Sequence, residues 1–77
     1  MPHVIVKLYP GRTEAQKQRL SAEIARNVVE ILGCEDRVVS VAFEEIAQSA
    51  WPETVYRPDI LEKEHLLYKK PGYNPFD

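Results

Sequence analysis

The 77-residue sequence has one cysteine, one tryptophan and three glycines. A lone Cys34 excludes an intrachain disulfide, and with His3 and His65 it falls in no metal-ligand spacing, so neither a disulfide framework nor a metal centre is expected. The scattered Gly11, Gly33 and Gly72 form no phosphate-cradling loop and no nucleophile elbow. No apolar run approaches the roughly 20 residues that span a bilayer, and no basic leader with a hydrophobic segment opens the chain. Charge of one sign is also missing. Ten basic residues stand against twelve acidic ones for a net charge of -2, and the isoelectric point is about 5.7. A phosphate backbone is therefore a poor partner. These absences point to a cytoplasmic protein that engages neither nucleic acid nor membrane.

What is present is ordinary globular material, 44% hydrophobic and 29% charged, which predicts a folded chain. At this length the surplus over the entropy of ordering is small, and disulfides, a metal or a partner subunit usually make up the difference. With the first two excluded, self-association remains.

Val4 to Tyr9 is β-branched or aromatic at most positions and stops at Pro10-Gly11, which predicts a strand ended by a turn. Val4, Val6 and Leu8 give it one wholly apolar face. Thr13 with Gln16 three residues later is a capping-box pattern. From there Leu20, Ile24, Val28, Ile31 and Leu32 recur at helical spacing, and Gly33 stops the helix. Val38 to Ile46 reads as a second strand, parallel to the first through a right-handed helical crossover. The fold class is thus α/β (α+β), a β-α-β unit of two parallel strands covered by a helix. Residues 1–77 are expected to form a single domain, with a β-α-β core over 1–47 and a tail over 48–77. The prolines at 52, 58, 71 and 75 break the tail into short segments, with a helix expected from about Pro58 to Tyr68. Two copies paired edge to edge would make a four-stranded sheet, so a homodimer is predicted, with the tail at its contact.

The unusual chemical feature is Met1-Pro2 leading straight into a strand. Loss of Met1 would leave Pro2 with a secondary amine, and a free terminal amine, with a reference pKa of about 8, is a serviceable general base. A retained Met1 makes the same nitrogen a tertiary amide with no basic lone pair. His3 alternates to the opposite face and is assigned to packing or the surface. Tyr56, Tyr68 and Tyr73 are expected at the dimer interface. Cys34, beside Glu35 and Asp36, is given no catalytic role.

Met1-Pro2-His3-Val4, Gly11-Arg12 followed by Thr13 to Lys17, Val38 to Val41 running into Glu45-Ile46, and Lys69-Lys70-Pro71-Gly72-Tyr73 together resemble the 4-oxalocrotonate tautomerase family, and with the longer tail and Trp51 its PptA-like branch. The resemblance spans essentially the whole chain. It implies a keto-enol tautomerase, an isomerase that works without cofactor or metal, with Pro2 as the catalytic base and a small-molecule carboxylate as substrate, an enolic 2-oxo acid or a 2-hydroxydienoate. It implies further that Arg12 binds a carboxylate and that Trp51 lines the pocket. Ser40 stands where many members carry an arginine that polarises the substrate. One hydrogen bond without charge replaces a cation there, which favours a monocarboxylate or aromatic enol over a dicarboxylate. Arg37 and Arg57 are the other candidate cations, each also read as a surface residue. Two alternatives stay open: hydratase or dehalogenase-type chemistry on an unsaturated acid, with a protonated Pro2 as the acid, and a non-catalytic dimeric module that binds a small acid.

Overall fold

A computed structural model describes all 77 residues, Met1–Asp77. The chain divides into two compact units, Met1–Glu45 and Ile46–Asp77.

The first unit is β1 (His3–Leu8), α1 (Glu14–Leu32) and β2 (Ser40–Glu45). The strands pair in parallel, from His3 opposite Ser40 to Leu8 opposite Glu45, as the helical crossover requires. Thr13 is the helix cap: its hydroxyl accepts the Gln16 backbone N–H at 3.0 Å, and the Gln16 side chain accepts the Thr13 N–H at 2.9 Å. At the other end Gly33 adopts φ 69°, the left-handed conformation that a glycine enters without strain, and its N–H closes onto the Val29 carbonyl. The half-buried face of α1 comprises Lys17, Ser21, Ile24, Ala25, Val28 and Val29, one stripe at helical spacing. Leu20, Ile31 and Leu32 lie outside it, and the last two are 79% and 65% exposed.

β2 is shorter than the apolar run that predicts it. Val38 and Val39 donate their N–H groups to the carbonyls of Glu35 and Asp36. This local turn captures the start of the run, so the strand opens at Ser40.

In the second unit the helix lies earlier than expected. It is a π-helix from Pro52 to Leu61 with Pro58 inside it, and Glu64–Leu66 forms only a short 3-10 turn. The wide winding continues to its end, where the Glu62 N–H bonds the Arg57 carbonyl at 3.0 Å. Proline lacks the N–H of a ladder step and its ring crowds the turn before it, which is why the sequence reads Pro58 as a beginning. The inward positions are Trp51-Pro52, Val55-Tyr56 and Pro58 to Ile60, with the buried pair Val55-Tyr56 four residues after the first. Val55 and Tyr56, 4% and 5% exposed, are the only buried residues of the chain. On the outer side Arg57 grips Glu53 with two hydrogen bonds of 2.9 and 3.1 Å. That bonding holds the Glu53 carboxyl below its ordinary value and raises Arg57.

Two expectations follow. Thr13→Ala removes an N-cap and is expected to cost about 1 kcal/mol of stability, read as a lower urea midpoint at fixed protein concentration. Because the folded value of Glu53 is depressed, its contribution is present above its unfolded value and disappears as the pH falls through the folded one. The thermal midpoint advantage of the unaltered chain over Glu53→Gln should therefore be full near neutrality and begin to fade only as the pH falls below the ordinary glutamate value of about 4.3.

Candidate active site

Pro2 is tied down immediately ahead of β1. Its carbonyl accepts the Ser40 N–H at 3.2 Å, and the residue is half-buried, whereas Met1 is 97% exposed. The chain is thus held at residue 2 and free at residue 1. While Met1 is attached, the Pro2 nitrogen belongs to a peptide bond.

Beside this end lies a contact that strand alternation alone does not reveal. His3 Nδ1 and Ser40 Oγ are 2.6 Å apart, because the parallel register sets residue 3 opposite residue 40. Either group can supply the proton, depending on the imidazole tautomer. His3 is exposed, as its surface assignment expects, and there it holds the hydroxyl of Ser40. The signal was available only by fixing the register between two strands 37 residues apart in the chain.

Arg12 follows the turn at the other end of β1. Gly11 there has φ 119°, a conformation that disfavours any side chain. Leu8, Tyr9, Pro10, Gly11 and Arg12 line an open depression of about 390 Å³. Lys17, one helical turn on, is held between Glu14 at 3.5 Å and Glu45 at 3.4 Å, which answers its charge. Arg12 has no carboxylate partner in the chain, so its planar fork of donors is open to an anion. The six residues of β1, about 20 Å of strand at roughly 3.3 Å per residue, and the turn of Tyr9, Pro10 and Gly11 lie between Pro2 and Arg12. One chain does not bring the two together.

Trp51 belongs to the second unit, where its indole N–H donates to the Tyr73 hydroxyl at 2.8 Å. Tyr56 is buried and donates its own hydroxyl proton to the Tyr73 carbonyl at 2.9 Å. Tyr56 and Tyr73 therefore pack against each other within the chain, their ring centroids 5.3 Å apart, while Tyr68 is fully exposed. The two other candidate cations are engaged at the surface, Arg37 by Glu35 at 2.6 Å and Arg57 by Glu53. No three of the His, Cys, Asp and Glu side chains gather as a metal site, and no helix is long and apolar enough to cross a membrane.

Comparison with known proteins bears on this arrangement. The family model described as "Tautomerase enzyme" matches residues 2–52, and so begins at Pro2. The chain is 41% identical over 73 residues to a "Probable tautomerase" of Xylella fastidiosa, covering 95% of this chain and 89% of that relative. It is 37% identical over 75 residues to Tautomerase PptA of an Enterobacter species, covering 96% and 99%. Among solved structures it resembles YwhB, a homologue of 4-oxalocrotonate tautomerase, with a TM-score of 0.60 and 34% identity over 61% of this chain and 77% of that one. TomN, a 4-oxalocrotonate tautomerase homologue in the tomaymycin biosynthetic pathway, gives a TM-score of 0.63 and 25% identity over 83% and 95%. A capped helix across two parallel strands, a pinned Pro2 at the head of the first and relatives matched over nearly their full length place this chain in the tautomerase family.

Proposed function

We propose that the ring nitrogen of Pro2, freed by removal of Met1, is the general base of a cofactor-independent keto-enol tautomerase acting on enolic 2-oxo acids or 2-hydroxydienoates. The observation that carries this is the anchoring of Pro2: its carbonyl is fastened to β2 while Met1 projects into solvent. A base must be held in place to act repeatedly at one geometry, and an exposed first residue is open to an aminopeptidase. In the reaction the amine takes the enol hydroxyl proton, the electron pair moves through the conjugated system, and the ammonium returns a proton to carbon. Atoms and charge balance without a further reactant.

Arg12 binds the substrate carboxylate. Since the length of β1, about 20 Å, stands between it and Pro2, the arginine that serves a given Pro2 comes from a second copy of the chain. Self-association also suits the first unit, in which no residue is buried and each strand has one unpaired edge. We read the protein as a cytoplasmic homodimer in which residues 1–77 act as one domain. Ser40, steadied by His3, offers the developing enolate a hydrogen bond, and Trp51 supplies an apolar wall for the substrate. A single hydroxyl in place of a cation suits a monocarboxylate or aromatic enol, with phenylenolpyruvate as the first substrate to try.

The test is ketonisation of phenylenolpyruvate by protein whose intact mass shows Met1 removed. Pro2→Ala should lower kcat/KM by about 100-fold or more, the usual scale for a general base. Undiminished turnover by that variant, or none by the unaltered protein, rules the reading out. Ser40→Arg should raise kcat/KM for a dicarboxylate dienol by about tenfold or more, since a cation stabilises the developing charge better than one hydroxyl, with a smaller gain for phenylenolpyruvate.

A further inference from the structure

The last five residues of the chain fold back onto the π-helix, and they do so around Trp51. The Tyr73 hydroxyl accepts the indole N–H at 2.8 Å. Its own ring lies 5.3 Å from that of Tyr56, and its carbonyl takes the Tyr56 hydroxyl proton. Phe76 meets the Tyr56 ring edge to face at 5.9 Å, and the Arg57 guanidinium lies over Phe76 at 4.6 Å. Asn74 closes the turn between them by accepting the Phe76 N–H at 2.9 Å. Arg57 is fixed in turn by Glu53. The indole is thus oriented through a hydroxyl 22 residues away, and the ring that carries that hydroxyl packs on a buried tyrosine.

We propose that Tyr73 is a positioning residue of the active site: through its hydroxyl it sets the orientation of the Trp51 indole, so the C-terminal segment shapes the wall against which the substrate lies. The proposal rests on the tautomerase reading above, in which Trp51 is that wall. Tyr73 touches no reacting atom and acts through Trp51. A wall holds the ground state and the transition state alike, so misorienting it weakens substrate binding and leaves the proton transfer at Pro2 largely intact.

Tyr73→Phe is the matched variant, because it deletes one oxygen and keeps the ring on Tyr56 and the backbone carbonyl that Tyr56 bonds. Trp51 is the only tryptophan, so its fluorescence reports the indole directly. The variant should keep its far-UV circular dichroism, show greater acrylamide quenching of Trp51, and raise KM for phenylenolpyruvate by about threefold to tenfold, the range of one neutral hydrogen bond, with kcat within about twofold. In a Trp51→Phe background the same change should have no further effect on KM, because positioning through an absent indole cannot operate. A KM increase that persists in that background overturns the proposal, since Tyr73 would then act on substrate by another route. Unchanged quenching, or unchanged KM despite altered quenching, also overturns it. An unaltered protein that ketonises no enol defeats the tautomerase reading itself and this proposal with it, and that result is seen before any variant is compared.

Discussion

The parallel pairing of β1 with β2 is the interaction on which the first unit depends, because every feature of interest there is set by its register. It places Ser40 opposite His3, fastens the Pro2 carbonyl to β2 and leaves Arg12 at the far end of the sheet. Yet the pair and its helix bury nothing completely. Both strands keep a free edge, and Ile5, Leu20, Ile31 and Leu32 stay exposed. At about 25 cal/mol per Å² of apolar surface removed from water, a unit that removes so little has a small reserve against the entropy of its own ordering. The proposed dimer answers this shortage and the distance between Pro2 and Arg12 together. In that proposal the association that covers the sheet also supplies the arginine.

Two kinds of fixing support the proposed chemistry. Pro2 is fixed by backbone, through a hydrogen bond that almost any residue on β2 could make. The groups that would meet substrate are fixed by side chains, the Ser40 hydroxyl by His3 and the Trp51 indole by Tyr73. The first kind tolerates changes of sequence, whereas the second passes through single atoms. Family membership accordingly leaves open the molecule on which the protein acts.

The first unit was largely legible because its signals are local. Thr13 and Gln16 cap α1 from three residues apart, Gly33 ends it by its own backbone preference, and the apolar runs mark both strands. The ends of β2 were less so, since the turn through Asp36–Val38 competes for the same apolar residues. The second unit escaped for a different reason. Pro58 sits where an α-helix would break, and the partners of Trp51 and Tyr56 lie at Tyr73 and Phe76, too far along the chain for any local pattern to join them. Of the tyrosines expected at an interface, Tyr56 and Tyr73 pack on each other within the chain, and Tyr68 is exposed.

The wide winding of Pro52–Leu61 makes that unit a ruler as well as a scaffold. A helix that closes on the fifth residue carries more chain per turn than an α-helix does, and the surplus brings Trp51, Val55 and Tyr56 inward together. Losing one residue between Trp51 and Tyr56 would let the segment relax to the narrower winding, turning one aromatic away from the other by about 100°. The first unit is governed by which residues it contains. Between Trp51 and Tyr56 the spacing itself carries the information, and an insertion or deletion there would act as a substitution does elsewhere.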